Sequence, residues 1–583
     1  MKFAGLLAAL LVASVCAAQT PSQRLERLAA EQQERILDLF PVGEIFSRGA
    51  GPRQDRVELT LSAEHRERQR AFQRWVLKEL EGIALAELGP SERITHELLA
   101  WRASSALEWL ETPGYQHSAF IHLNGGLAFG LVQVVNRQPM RNEADYRAWF
   151  RRLQRYVPFI DDVARVMREG LAARITTPRV IAERSLEQLE ALAAPDMTTS
   201  SLWKPMRSFP ASIDAPTRAA LEAQYRQLLS DEVFPALRRL AAYARNEYIP
   251  KARTTDGYGA LPGGERMYRL AVRWETTTDL TPEAIHELGL KEVKRIQASY
   301  LAAARKAGIE GTVAEVGGAL RDDPKYHPFS TGEQVIQHLY AIHARIVPQL
   351  PKLFSRMPKA RFEIQLSDPT LAASAPAQYY WPSDDGRPGI FYMPVPDPRR
   401  VSMVSLAALQ AHEGMPGHHF ESIKLEMKAP EFRRRLQINA FTEGWGLYAE
   451  SLGHELGLYE NPIDLLGRYS MELFRACRLV VDTGLHAKGW PREKAITYMV
   501  DQCGSMHGGA TAEVLRYMVW PGQALSYKIG ELTILELRAK AQSRLGPRFD
   551  IRAFHDAILE EGSLPLAMLK SRMEAWIVAQ QRQ

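Results

Sequence analysis

Ala411-His412-Glu413-Gly414-Met415-Pro416-Gly417-His418-His419, followed by Phe441-Thr442-Glu443-Gly444-Trp445, is the stretch on which the reading of this chain turns. A histidine followed at once by a carboxylate able to act as general base is the start of a hydrolytic zinc motif carried on a helix. The usual form places a second histidine four residues on, on the same helical face, but here that position is Pro416.

Catalytic zinc takes three protein ligands and keeps one position for water. His412 is the first ligand expected, with Glu413 as base, because successive helical residues diverge by about 100° and Glu413 then projects beside the metal rather than onto it. His418 lies six residues after His412, an axial rise of ~9 Å in a straight helix, which would not close the site. Gly414, Pro416 and Gly417 break or widen helices, so a bulged turn is expected to bring His418 back to the metal. His418 is the preferred second ligand and His419 the alternative. The segment from Phe441 to Glu450 reads as a separate helix with Glu443 and Glu450 on one face, seven residues apart. Glu443 is expected as third ligand, since neighbouring glycines permit close helix approach, and Glu450 as the group that orients a ligand histidine.

Outward from this motif the texture is helical. Residues 144–170 place apolar side chains at three- and four-residue steps with arginines between them, and Thr281-Pro282-Glu283 has the cap and first-turn proline of a helix start. Breaks fall near 194–205, 254–264 and 368–377, with no repeat and no flexible linker. One region differs. Arg361-Phe362-Glu363-Ile364-Gln365-Leu366 alternates strictly, and Tyr379-Tyr380-Trp381 and Ile390-Phe391-Tyr392-Met393 flank a turn-rich segment, predicting a small sheet or hairpin at a cleft edge. The expectation is a mainly α, two-lobed, cleft-containing zincin-like fold. Its expected parts are a helical lobe at 19–355, a β insertion at 356–400 and a helical catalytic lobe at 401–583.

Of 583 residues, 46% are apolar and 24% charged, enough for a large buried core. The 73 basic and 68 acidic residues leave +5, or +4 once Lys2 goes with a leader, and no dense basic run argues for nucleic acid. Residues 1–18 read as a signal peptide cleaved near Ala18, predicting a periplasmic or secreted protein. A lipid anchor through Cys16 is disfavoured by the bulky Val15, and no later run is long enough for a transmembrane span. Cys477 and Cys503 then remain, either joined or separately buried.

The His412–His419 segment, with Thr442-Glu443-Gly444-Trp445-Gly446-Leu447-Tyr448, residues 478–486 (Arg-Leu-Val-Val-Asp-Thr-Gly-Leu-His) and residues 521–528 (Pro-Gly-Gln-Ala-Leu-Ser-Tyr-Lys), resembles the bacterial family catalogued as domain of unknown function 885. The resemblance covers nearly the whole mature chain. It implies a mostly helical, cleft-containing fold similar to zinc oligopeptidases and carboxypeptidases of the thimet and Taq type. It implies no settled substrate, and the ligand set His412, His418 and Glu443 follows by analogy with those peptidases.

Other residues fit a mechanism. Arg478, Asp482 and His486 share a face, with an Arg478–Asp482 surface ion pair as the plain alternative. On the functional reading Arg478 or His486 faces the cleft, where Arg478 binds a substrate carboxylate, and His486 or the Tyr527 phenol steadies an oxyanion. Tyr379, Tyr380 and Arg387 line the cleft from the sheet, unless they only pack. His507-Gly508-Gly509 and His122-Leu123-Asn124-Gly125-Gly126 read as loops. Together these features predict a Zn²⁺-dependent peptidase acting on short or unfolded peptides, and a carboxypeptidase if Arg478 holds a free carboxylate. A zinc amidase and a non-catalytic peptide-binding protein are the alternatives, and Mn or Co would also suit the ligands.

Overall fold

The computed structural model describes residues 19–57, 61–117, 126–367, 377–384 and 386–582. The expected leader, with Cys16, and residues 122–125 lie outside them. The protein is mainly α-helical with one small sheet. Helices begin where the sequence supplies caps. Asn142 accepts from the Asp145 amide to start Glu143–Ala173, and Thr281 accepts from Ala284 ahead of Pro282–Lys306. No helix among the described residues is long and apolar enough to cross a membrane.

The sheet has three strands, β1 (Phe362–Leu366), β2 (Gln378–Tyr380) and β3 (Gly389–Met393), in the order β1-β3-β2. β2 and β3 pair antiparallel, with Tyr379 opposite Phe391, while β1 runs parallel to β3. β2 is therefore an edge strand, and Tyr379 and Tyr380 on it reach the cavity described below.

Burial concentrates in three apolar clusters. The largest joins the first helix (Leu25, Leu28) to the last (Met573, Ile577) through Phe441, Trp445 and Ile529. A second is built from residues between Ile45 and Ala252, and a third packs around the Pro462–His486 helix. In the first cluster the Asn439–Ser451 and Ser526–Leu545 helices cross where Gly444 meets Gly530. A Cβ on Gly444 would stand 2.5 Å from the Gly530 Cα, so the backbones touch there because neither residue has a side chain. Cys477 and Cys503, with Cα atoms 6.5 Å apart, form a disulfide between the Pro462–His486 and Arg492–Cys503 helices.

Candidate metal centre

The eight-residue helix Leu406–Glu413 ends where Gly414 takes a non-helical conformation (ψ −128°). The expected bulge is absent, and the chain reverses instead. Within a continued helix the His412 carbonyl would receive the amide of residue 416, but Pro416 has none. The His418 amide takes that place, donating to the His412 carbonyl at 2.7 Å. Gly417 lets this happen, since a Cβ there would sit 1.9 Å from the same oxygen. Trp445 then fastens the turn to the neighbouring helix, its indole N–H donating to the Pro416 carbonyl at 2.8 Å.

The reversal brings the two imidazoles to 4.7 Å between ring centres, nearly perpendicular. Glu443 Oε2 lies 3.4 Å from Nε2 of His412 and 3.4 Å from Nε2 of His418. Ligand-forming atoms of His412, Glu413 and His418 fall within 4.8 Å of one another. Gly446 supplies the remaining space, since a Cβ on it would lie 2.7 to 2.9 Å from the His412 ring. The other ring nitrogens face carboxylates. Nδ1 of His412 is 2.9 Å from Glu450, which Arg475 approaches at 3.3 Å, and Nδ1 of His418 is 3.7 Å from Glu421.

These residues fit a zinc ion on two observations. Two imidazoles and a carboxylate are a catalytic zinc set, and tetrahedral ligands at ~2.0–2.1 Å from their centre stand about 3.3–3.4 Å apart, the spacing found here. Among the described residues, the buried Oε2 atoms of Glu443 and Glu413 also have no hydrogen-bond partner. Burial raises the Glu413 carboxyl above its ordinary range. His419 is engaged elsewhere, Nδ1 with the Tyr379 hydroxyl (2.8 Å) and Nε2 with the Ala360 carbonyl (3.1 Å), and burial lowers its pKa to about 4.

The four residues open into a cavity of about 790 Å³. Arg475, Arg478, Arg516 and Tyr527 line one part of its wall, and Leu127, Phe129, Tyr156 and Phe159 are among the apolar residues lining the rest. The Tyr527 ring stacks 6.1 Å from His412. Tyr380 lines the cavity too, held by its bond to Gln133 (2.6 Å) and by the Arg137 guanidinium over its ring.

Four expectations do not match this arrangement. His486 is absent from the lining; its ring nitrogens engage the Tyr258 amide and the Tyr517 carbonyl, and burial lowers its pKa to about 3. Arg387 bonds Ser383 and the Ile45 carbonyl and lines an adjoining cavity instead. The Arg478–Asp482 surface pair is replaced by buried partners, Glu513 for Arg478 and Tyr268 with the Gly522 amide for Asp482. His507 opens a helix rather than lying in a loop. Sequence reasoning missed Glu421, Arg475, Glu513 and Arg516. Only Arg475 carried a signal, three residues before Arg478 on one helical face.

The crystal structure of the "putative lipoprotein" from Colwellia psychrerythraea is similar to this chain at 27% identity and a TM-score of 0.89, covering 96% of this chain and 100% of the other. A "putative lipoprotein of unknown function" from Shewanella oneidensis shares the fold at 17% identity and a TM-score of 0.71, with 96% and 100% covered. No curated protein matches. The family described as bacterial protein of unknown function (DUF885) matches residues 45–573, and the chain belongs to it.

Proposed function

We propose that the chain is a zinc-dependent metallopeptidase acting on short or unfolded peptides. The observation that carries this reading is the convergence of His412 Nε2, His418 Nε2 and Glu443 Oε2 at zinc-ligand spacing, with Glu413 beside them in a cavity. Bound there, zinc would supply Lewis acidity, bringing the pKa of a water to about 7 and polarising the scissile carbonyl. Glu413 would accept the proton of the attacking water and deliver it to the leaving amine. Burial raises the Tyr527 phenol, which keeps its proton at neutral pH and is available to donate to the oxyanion. Glu450 and Glu421 would hold the two imidazoles in orientation from behind. The cavity's size favours peptides over folded proteins.

Protein purified without added metal should carry about one zinc per chain. Glu413→Gln should keep that zinc and lose roughly 10²–10⁴ in turnover, the usual contribution of a positioned general base. Absence of zinc, or unchanged hydrolysis in the variant, would sink the proposal, and a mixed peptide library read by mass spectrometry separates peptides from other amides. We also propose a location outside the cytoplasm. The leader-like residues 1–18, the Cys477–Cys503 disulfide and the lipoprotein descriptions of both relatives support it.

A further inference from the structure

Arg478 stands in the same cavity, beyond the histidines, and is only 6% exposed. Its guanidinium is fixed on four sides. Nε donates to the Tyr517 hydroxyl at 3.1 Å, Nη2 pairs with Glu513 at 3.0 Å, and the rings of Phe474 and Tyr527 flank it at 4.5 and 4.4 Å. Among the described residues nothing accepts from Nη1. A buried donor left unmet is costly, which favours a ligand that brings an acceptor. Burial works against the charge, but Tyr517 and Glu513 hold Arg478 above its ordinary pKa and keep it cationic.

The sharing of Glu513 points the same way. Glu513 is shared, because Arg516 also pairs with it at 2.9 Å, and Arg475 is matched by Glu450. Arg478 therefore has no carboxylate to itself.

Spacing bounds where on a peptide that anion lies. The Tyr527 ring is 6.1 Å from the His412 ring centre and 4.4 Å from the Arg478 guanidinium carbon, so the His412 ring and the Arg478 guanidinium are at most those two steps apart. One residue beyond the scissile bond spans about one Cα–Cα step, ~3.8 Å, and a charged hydrogen bond to its carboxylate adds ~2.8 Å. One residue fits within that bound.

We propose that Arg478 binds the free α-carboxylate of a peptide's last residue, so that the bond broken is the C-terminal one. The inference rests on the peptidase reading and narrows its substrate class. Water adds to the penultimate carbonyl, the C–N bond breaks and the proton passes to the departing amine, giving a shortened peptide and a free amino acid.

The test uses the zinc-loaded Glu413→Gln protein, which should bind without turning over. Calorimetric titration compares an N-acetylated apolar tripeptide carrying a free carboxylate with its C-terminal amide. The acid should bind at least about tenfold tighter, the scale of a charge-assisted pair. Adding Arg478→Gln should bring the two within about twofold while zinc content stays unchanged. Equal affinities in the parent, no binding of either, or a preference that survives Arg478→Gln would overturn the inference. If Arg478→Gln loses its zinc, the parent's acid-to-amide ratio decides alone. Unaltered enzyme that cuts amidated peptides internally would remove this inference and leave the peptidase reading. Arg478-dependent acid binding with no hydrolysis of any peptide would do the reverse.

Discussion

Glu450 is buried beside Nδ1 of His412 (2.9 Å) and the Arg475 guanidinium (3.3 Å), the place from which a carboxylate would orient that ring under the proposed function. Glu450→Gln should therefore weaken metal binding by about 10–100-fold, read by competition with a chelator, while the helix content of the metal-loaded protein is unchanged. An affinity equal to that of the parent would mean that packing alone orients His412. Glu450 was legible because seven residues from Glu443 is two helical turns, a relation local sequence can express. Glu513 and Arg516 were not, since their role depends on which helix comes to face Arg478. His486 misled for a geometric reason. Each four-residue step drifts ~40° around a helix, so two steps from Arg478 have left its face. His486 instead meets Tyr258 and Tyr268.

Among the elements, the His412 helix is short because its next turn would need an amide that Pro416 lacks. The texture of Gly414, Pro416 and Gly417 announced a disturbance, and a bulge and a termination read alike until the partner of the His412 carbonyl is known. The sheet was more legible, since strict alternation and aromatic runs located all three strands. The parallel pairing of β1 with β3 was not, because strand order depends on how the connecting residues run. The Gly444–Gly530 crossing supplies a sharper test. Gly→Ala inside a helix ordinarily gains up to ~1 kcal/mol, but a Cβ 2.5 Å from a facing backbone overpacks at ~1–3 kcal/mol. The second effect wins, so Gly444→Ala should lower the thermal midpoint. It should also loosen metal binding, because the two helices carry Glu443 and Tyr527. A raised midpoint would show that the helices separate without cost.

For the molecule as a whole, two buried carboxyls outside the metal cage should tilt stability with pH. Burial raises both Glu275 and Asp482 to about 7. Unfolded, they ionise near 4, so between ~4 and ~7 the folded chain holds more protons and each group costs stability as pH rises, by on the order of 1 kcal/mol per unit. The denaturant midpoint should fall from pH 5.5 to 7.5, and Asp482→Asn should flatten that slope. A slope identical in the variant would show that Asp482 does not titrate in this window. The largest apolar cluster has a further consequence. It gathers Leu25 and Leu28 of the first helix and Met573 and Ile577 of the Leu566–Arg582 helix into one cluster, so this core, unlike the one built within residues 45–252, stays incomplete until that helix is made. A nascent chain would emerge with that surface still open until the Leu566–Arg582 helix arrived. A stop shortly before Leu566 should therefore yield a chain cleared by proteases rather than a folded protein with a weakened candidate site.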